Sequence, residues 1–95
     1  MNIIKKLFTK KLKTIEDIQN YSNILEKVRD VISKELLMSK LTIYLNDRLE
    51  KDLKISKLDK RSIILKLRNI YDISIPYKRK YTIEDLVNLI YKKVN

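Results

Sequence analysis

Apolar residues recur at helical spacing in several stretches of the chain. Residues 3 to 15 place Ile4, Leu7, Phe8, Leu12 and Ile15 at steps of three and four, with Lys5, Lys6, Lys10 and Lys13 mostly off that stripe. This spacing predicts a basic amphipathic helix. The series Ile15, Ile18, Tyr21, Leu25, Val28, Ile32 and Leu36 keeps the same period to about Leu37, as one long helix or as two pieces. Thr14 and Ser22 are its candidate N-caps, and Asp17 stands three residues after Thr14 as in a capping box.

Between Met38 and Ser56 the period loosens. Leu41, Ile43 and Leu45 alternate like a short extended segment, then Leu49, Leu53 and Ile55 point inward from a polar background, which predicts an ordered loop with at most one helical turn. Helical spacing returns over 57 to 71 through Leu58, Ile64, Leu65, Leu67, Ile70 and Tyr71, with Ser56 as N-cap. Pro76 forbids continuation. Thr82 and Asp85 open a last helix whose stripe is Ile83, Leu86, Val87, Ile90 and Val94. The expectation is an all-α bundle of three longer helices plus a short one, with an extra basic N-terminal helix. Its expected core includes Leu25, Val28, Ile32, Leu53, Leu58, Ile64, Leu67, Ile70, Ile90 and Val94. Thr-Ile-Glu-Asp occurs at Thr14–Asp17 and again at Thr82–Asp85, and the flanks differ, so the repeat reads as two independent helix starts.

Composition then removes whole classes of function. The 95 residues suit one small domain, and the chain has no Cys, His or Gly. A thiolate zinc site, a thiol or imidazole nucleophile and the glycine-built phosphate loops are therefore excluded, and the chain is not expected to be an enzyme. Ala is also missing while Ile, Lys, Leu, Asn and Tyr dominate, a bias expected of an AT-rich genome. No apolar run exceeds three residues, too short to span a bilayer, and the lysine-rich start lacks the apolar region and cleavage site of a secretory signal. The expected location is cytoplasmic or organellar, neither secreted nor transmembrane.

One stretch carries a resemblance. Asp52-Leu53-Lys54-Ile55-Ser56-Lys57-Leu58-Asp59 resembles the Asp-Leu-Gly-x-Asp-Ser-Leu-Asp motif of acyl carrier proteins, and Tyr71-Asp72-Ile73-Ser74-Ile75-Pro76 resembles the end of that family's second helix, without a gap between them. Ile24 to Leu37 resembles the family's first helix and Thr82 to Tyr91 its last. The resemblance implies an acyl-carrier-like domain over residues 21–95, preceded by a basic segment over 1–20. It also implies a departure at the chemical centre. Lys57 occupies the position of the serine that receives 4′-phosphopantetheine, Ser56 that of the preceding acid, and Lys54 that of the motif glycine. An amine on Lys57 cannot form the phosphodiester, so no cofactor is expected.

Charge points the same way. The chain carries 22 Lys+Arg against 12 Asp+Glu, a formal net charge of +10. Within the third predicted helix, Lys57, Lys60, Arg61, Lys66 and Arg68 face Asp59 alone. The resemblance implies an acidic recognition helix in this place, so the usual enzyme partners are repelled. The reading is a noncatalytic protein-interaction or structural subunit that engages an acidic protein surface, in a larger complex by analogy with mitochondrial members of the family. Lys57, Lys60, Arg61 and Arg68 are the expected contact cations, with Leu7 and Phe8 adding an apolar contact. Two alternatives stay open. One is a working carrier in fatty-acid or related thioester metabolism with 4′-phosphopantetheine on Ser56. The other is a basic binder of membrane surfaces, through residues 3–15, or of nucleic acid, where Tyr77 and Tyr81 flank Lys78, Arg79 and Lys80. No recognised module supports sequence-specific nucleic-acid binding.

Overall fold

The computed structural model describes residues 14–77 and 79–94. The predicted basic helix over residues 3–15, with Leu7 and Phe8, lies almost wholly outside them. The described residues form three α-helices and no strand: α1, Ile15–Leu36; α2, Lys57–Tyr71; and α3, Ile83–Val94, with one 3-10 turn at Lys40–Thr42 in the connection between α1 and α2. None of these helices is long and apolar enough to cross a membrane.

Each helix starts where its capping chemistry stands. Thr14 Oγ1 accepts the Asp17 N–H at 3.0 Å, with Glu16 and Asp17 in the first turn where the helix dipole favours acids. Ser22 is not a cap, and α1 runs unbroken across residue 20, where the sequence suggested a boundary. Both α1 and α2 end on a left-handed residue, Leu37 (φ 55°) and Asp72 (φ 53°). In each case the following N–H, of Met38 or Ile73, returns to a carbonyl five residues back, on Ser33 at 3.0 Å or Arg68 at 3.2 Å. Met38 and Ile73 then pack against the core, which completes the apolar contact of this type of helix ending.

The core lies where α1 packs on both α2 and α3. Tyr21 near the start of α1 meets Tyr91 near the end of α3 edge-on, with centroids 5.7 Å apart, so these two helices run antiparallel. Val28, Ile32, Ile64, Leu67 and Ile90 are buried as expected, while Leu25 and Leu53 are partly buried. Leu58, Ile70 and Val94 are not core residues: they are 79%, 48% and 43% exposed. For Leu58 the reason is angular: it precedes Leu67 by nine residues, about two and a half turns, and so stands on the opposite side of α2. Ile70 and Val94 instead stand at the ends of their helices, on the same side as buried Ile63 and Ile90. The face that turns inward carries Lys60, Ile63, Ile64 and Leu67. In α1 the buried face is centred on Ile24, Val28, Val31 and Ile32, which leaves Ile15 and Ile18 exposed. Tyr91, not Val94, completes the stripe of α3.

The long connection is pinned by side chains and backbone together. Ile43, Leu49 and Ile55 are buried in it, whereas Leu41 is exposed on the 3-10 turn. This distribution sets a stability contrast. Leu67→Ala lowers unfolding free energy by about 2–5 kcal/mol, while Leu58→Ala changes it by less than about 0.5 kcal/mol. Urea unfolding of the two variants followed by circular dichroism checks both values.

Candidate functional site

Of the contact residues singled out by sequence, Lys57, Lys60 and Arg61 lie in the first turns of α2 and Arg68 in its last, while Leu7 and Phe8 lie outside the described residues; three features hold the start of α2 in place. Ser56 Oγ accepts the Asp59 N–H at 3.1 Å, and the Ser56 carbonyl accepts the Lys60 N–H at 2.9 Å. Upstream, Arg48 and Asp52 close the loop. The Asp52 carboxylate accepts the Arg48 backbone N–H at 2.7 Å and its guanidinium N–H groups at 3.0 and 3.1 Å. Between them Lys54 takes the left-handed conformation, φ 57°. The next residue, Ile55, is buried and donates its N–H to the Leu49 carbonyl at 2.9 Å.

The third feature is Lys60. It is only 7% exposed, and its ammonium donates to Glu50 Oε2 and to the Arg79 carbonyl, each at 3.2 Å. Lys60 thus fastens α2 to the loop before it and to the segment after Pro76, and is not a free surface cation as expected. A buried charge requires such partners, because desolvation without them is costly. Lys66 is also committed, to Glu35 at 2.6 Å.

Lys57, Arg61 and Arg68 remain on one side of α2 with no carboxylate partner among the described residues. The guanidiniums of Arg61 and Arg68 sit 5.2 and 5.0 Å from the centroid of the Tyr77 ring, within cation–π range. Beside them Leu58 and Leu65, 79% and 48% exposed, follow the outward side of the helix at a spacing of seven. Sequence reasoning missed Leu58 and Leu65 as surface residues because both fit an apolar stripe. The resulting face is a short apolar ridge flanked by three cations.

Of the two serines near the motif, Ser56 is the helix cap, and Ser62 is partly buried further into α2. Lys57 is the exposed first residue of α2. Among the described residues no cluster of metal-ligating side chains occurs. Compared with known proteins, the chain matches no family model, no curated protein and no solved structure.

Two predictions follow from the fastening of α2. Lys60→Ala destabilises the protein by roughly 1–3 kcal/mol, whereas Lys57→Ala stays within about 0.5 kcal/mol; thermal unfolding of the two variants separates them. The side-chain and backbone hydrogen bonds from Arg48 lower the Asp52 pKa from 3.8 to about 2. A depressed carboxyl pKa contributes stability that is complete above the unfolded value and is lost as pH falls through the folded one. Wild-type stability therefore declines between about pH 4 and pH 2 with a contribution from Asp52 that is missing in Asp52→Asn, and acid titration of urea midpoints reads the difference.

Proposed function

We infer that the chain is an acyl-carrier-like helical protein without the modifiable hydroxyl, and that it acts as a noncatalytic interaction subunit docking on an acidic partner protein. Several placements support the carrier-like reading. The motif-like stretch from Asp52 to Asp59 leads into the first turn of a helix, which begins at Lys57. Lys54, in the place of the motif glycine, has a positive φ, the conformation for which glycine is the default residue. Tyr71 to Pro76 spans the end of α2 and the chain reversal after it.

The observation that carries the functional reading is the outward face of α2. Two exposed leucines bordered by Lys57, Arg61 and Arg68 suit an amphipathic acidic helix, whose apolar side covers the ridge while its carboxylates meet the cations. Leu58 and Leu65 supply the contact that holds the complex, and the cations supply orientation and encounter rate. Lys60 supports this face from beneath without joining it.

The test uses a synthetic helical peptide with Leu at matching spacing and flanking Glu. Reversing Lys57, Arg61 and Arg68 to Glu slows peptide association at low salt and removes its acceleration as salt falls, because exposed charges act within a Debye length of about 8 Å at physiological ionic strength and the reversed face repels the peptide's glutamates. Leu58→Asp with Leu65→Asp chiefly speeds dissociation. Both effects are read by stopped-flow fluorescence. Co-expression with a phosphopantetheinyl transferase leaves the intact mass unchanged; a gain of one phosphopantetheinyl group on Ser56 overturns the reading in favour of a working carrier.

A further inference from the structure

A second group of cations converges around a concavity beside the start of α2. A cleft of about 460 Å³ is lined by Lys57, Lys60, Arg61 and Lys80, together with Tyr77 and Glu50. Its walls come from two separate parts of the chain, the first turns of α2 and the segment that follows Pro76. Glu50 is already committed to Lys60 at 3.2 Å, so its charge is spent on the buried ammonium. Lys57, Arg61 and Lys80 have no carboxylate partner among the described residues. Arg61 is further constrained by its position over the Tyr77 ring.

We propose that this cleft binds a phosphomonoester dianion. Three uncompensated cations around one small concavity call for a compact ligand of multiple charge. A phosphomonoester carries about −1.5 to −2 at neutral pH on three strong acceptor oxygens, where a carboxylate carries a single charge on two. The guanidinium of Arg61 offers a planar fork to such oxygens, and the ammoniums of Lys57 and Lys80 act as point charges beside it. The cleft lies at the N-terminal end of the 15-residue α2, whose dipole adds to the same potential. Its volume leaves room for the group that bears the phosphate as well as the phosphate itself. Lys60 is the organising member, because it pairs with Glu50 and ties the two walls together through the Arg79 carbonyl.

The cleft and the docking face share Lys57 and Arg61, but Lys80 belongs to the cleft alone and Arg68 to the docking face alone. That difference separates the two ideas experimentally. The full chain, labelled with ¹⁵N, is titrated with inorganic phosphate above its second pKa and, in parallel, with sodium chloride at matched ionic strength. Saturable amide shifts confined to residues 57–61 and 77–80, seen with phosphate and not with chloride, are the expected result. Lys80→Gln and Arg61→Gln each weaken phosphate binding by about tenfold, while Arg68→Gln, which touches the cleft only through the Tyr77 ring, weakens it by less than about threefold. Free phosphoserine and a short neutral peptide containing phosphoserine then distinguish the source. Equal affinities assign the site to small phosphomonoesters, and a peptide at least tenfold tighter assigns it to a phosphorylated chain. Shifts reproduced by chloride, shifts spread over the other basic surfaces, or binding indifferent to both Lys80→Gln and Arg61→Gln overturn the proposal.

Discussion

The first turn of α3 holds this structure together, because its backbone donors have to be satisfied and the loop between α1 and α2 satisfies them. Ile83 and Glu84 donate their N–H groups to the carbonyls of Asp47 and Leu45, at 2.9 and 2.8 Å. Asp85 donates its N–H to Thr82 Oγ1, and Thr82 returns its own to Asp85 Oδ2, each at 3.0 Å. The donors left open at a helix start are thereby accounted for, and two of them are spent on a distant part of the chain. The reverse bond, Leu49 N–H to the Tyr81 carbonyl at 3.0 Å, closes the arrangement and buries Leu49 completely. A connection with little secondary structure of its own acquires a fixed shape this way, and that shape delivers Ser56 and Lys57 to the start of α2.

A chain without glycine builds this frame under local strain. Leu37, Lys54 and Asp72 all occupy the left-handed region, at roughly 1–2 kcal/mol each relative to the ordinary conformation for residues carrying a Cβ. Asp is among the residues that tolerate it best, whereas Leu37 gains nothing from its side chain, which is 92% exposed. Backbone bonds and burial immediately downstream offset the cost. Met38 and Ile73 each close a helix end and pack on the core, and Ile55, directly after Lys54, is buried with its N–H bonded. The strain is therefore located at the three reversals that bring the helices together.

Helix existence and helix starts were legible in the sequence because they depend on neighbours within one turn. Thr14, Ser56 and Thr82 each sit three residues ahead of the N–H they accept, and Pro76 stands beyond α2. The buried side of α2 was not legible. Leu58 and Leu65 on one side compete as an apolar stripe with Ile63, Ile64 and Leu67 on the other, and the inward choice includes a lysine. Ile75 and Tyr81 are likewise buried in segments with no helical period, where burial follows from tertiary packing alone, although Leu49 and Ile55 could be read as inward from their polar surroundings. For the site, the number of cations on α2 could be counted from sequence, but their availability could not. The partners that remove Lys60 and Lys66 from the surface lie 10, 19 and 31 residues away.

This partition of charge gives the docking and phosphate readings their physical content. Lys34, Lys40, Arg48, Lys60 and Lys66 all lie within ion-pair distance of carboxylates, so these five cations are compensated locally. The charge that remains on α2 is not scattered. Lys57 and Arg61 are one turn apart on the same side of the helix, a like-charge pair that weakens an isolated helix by a few tenths of a kcal/mol. Arg61 and Arg68 share the ring of Tyr77, a contact worth about 0.5–1 kcal/mol at exposed sites, which offsets that repulsion while leaving the charges in place. A carboxylate would stabilise these cations more, but it would also neutralise them. Tyr77 therefore orders two guanidiniums without cancelling their field, and a nearby anion, whether a partner's carboxylate or a phosphate, meets a positioned and still uncompensated charge.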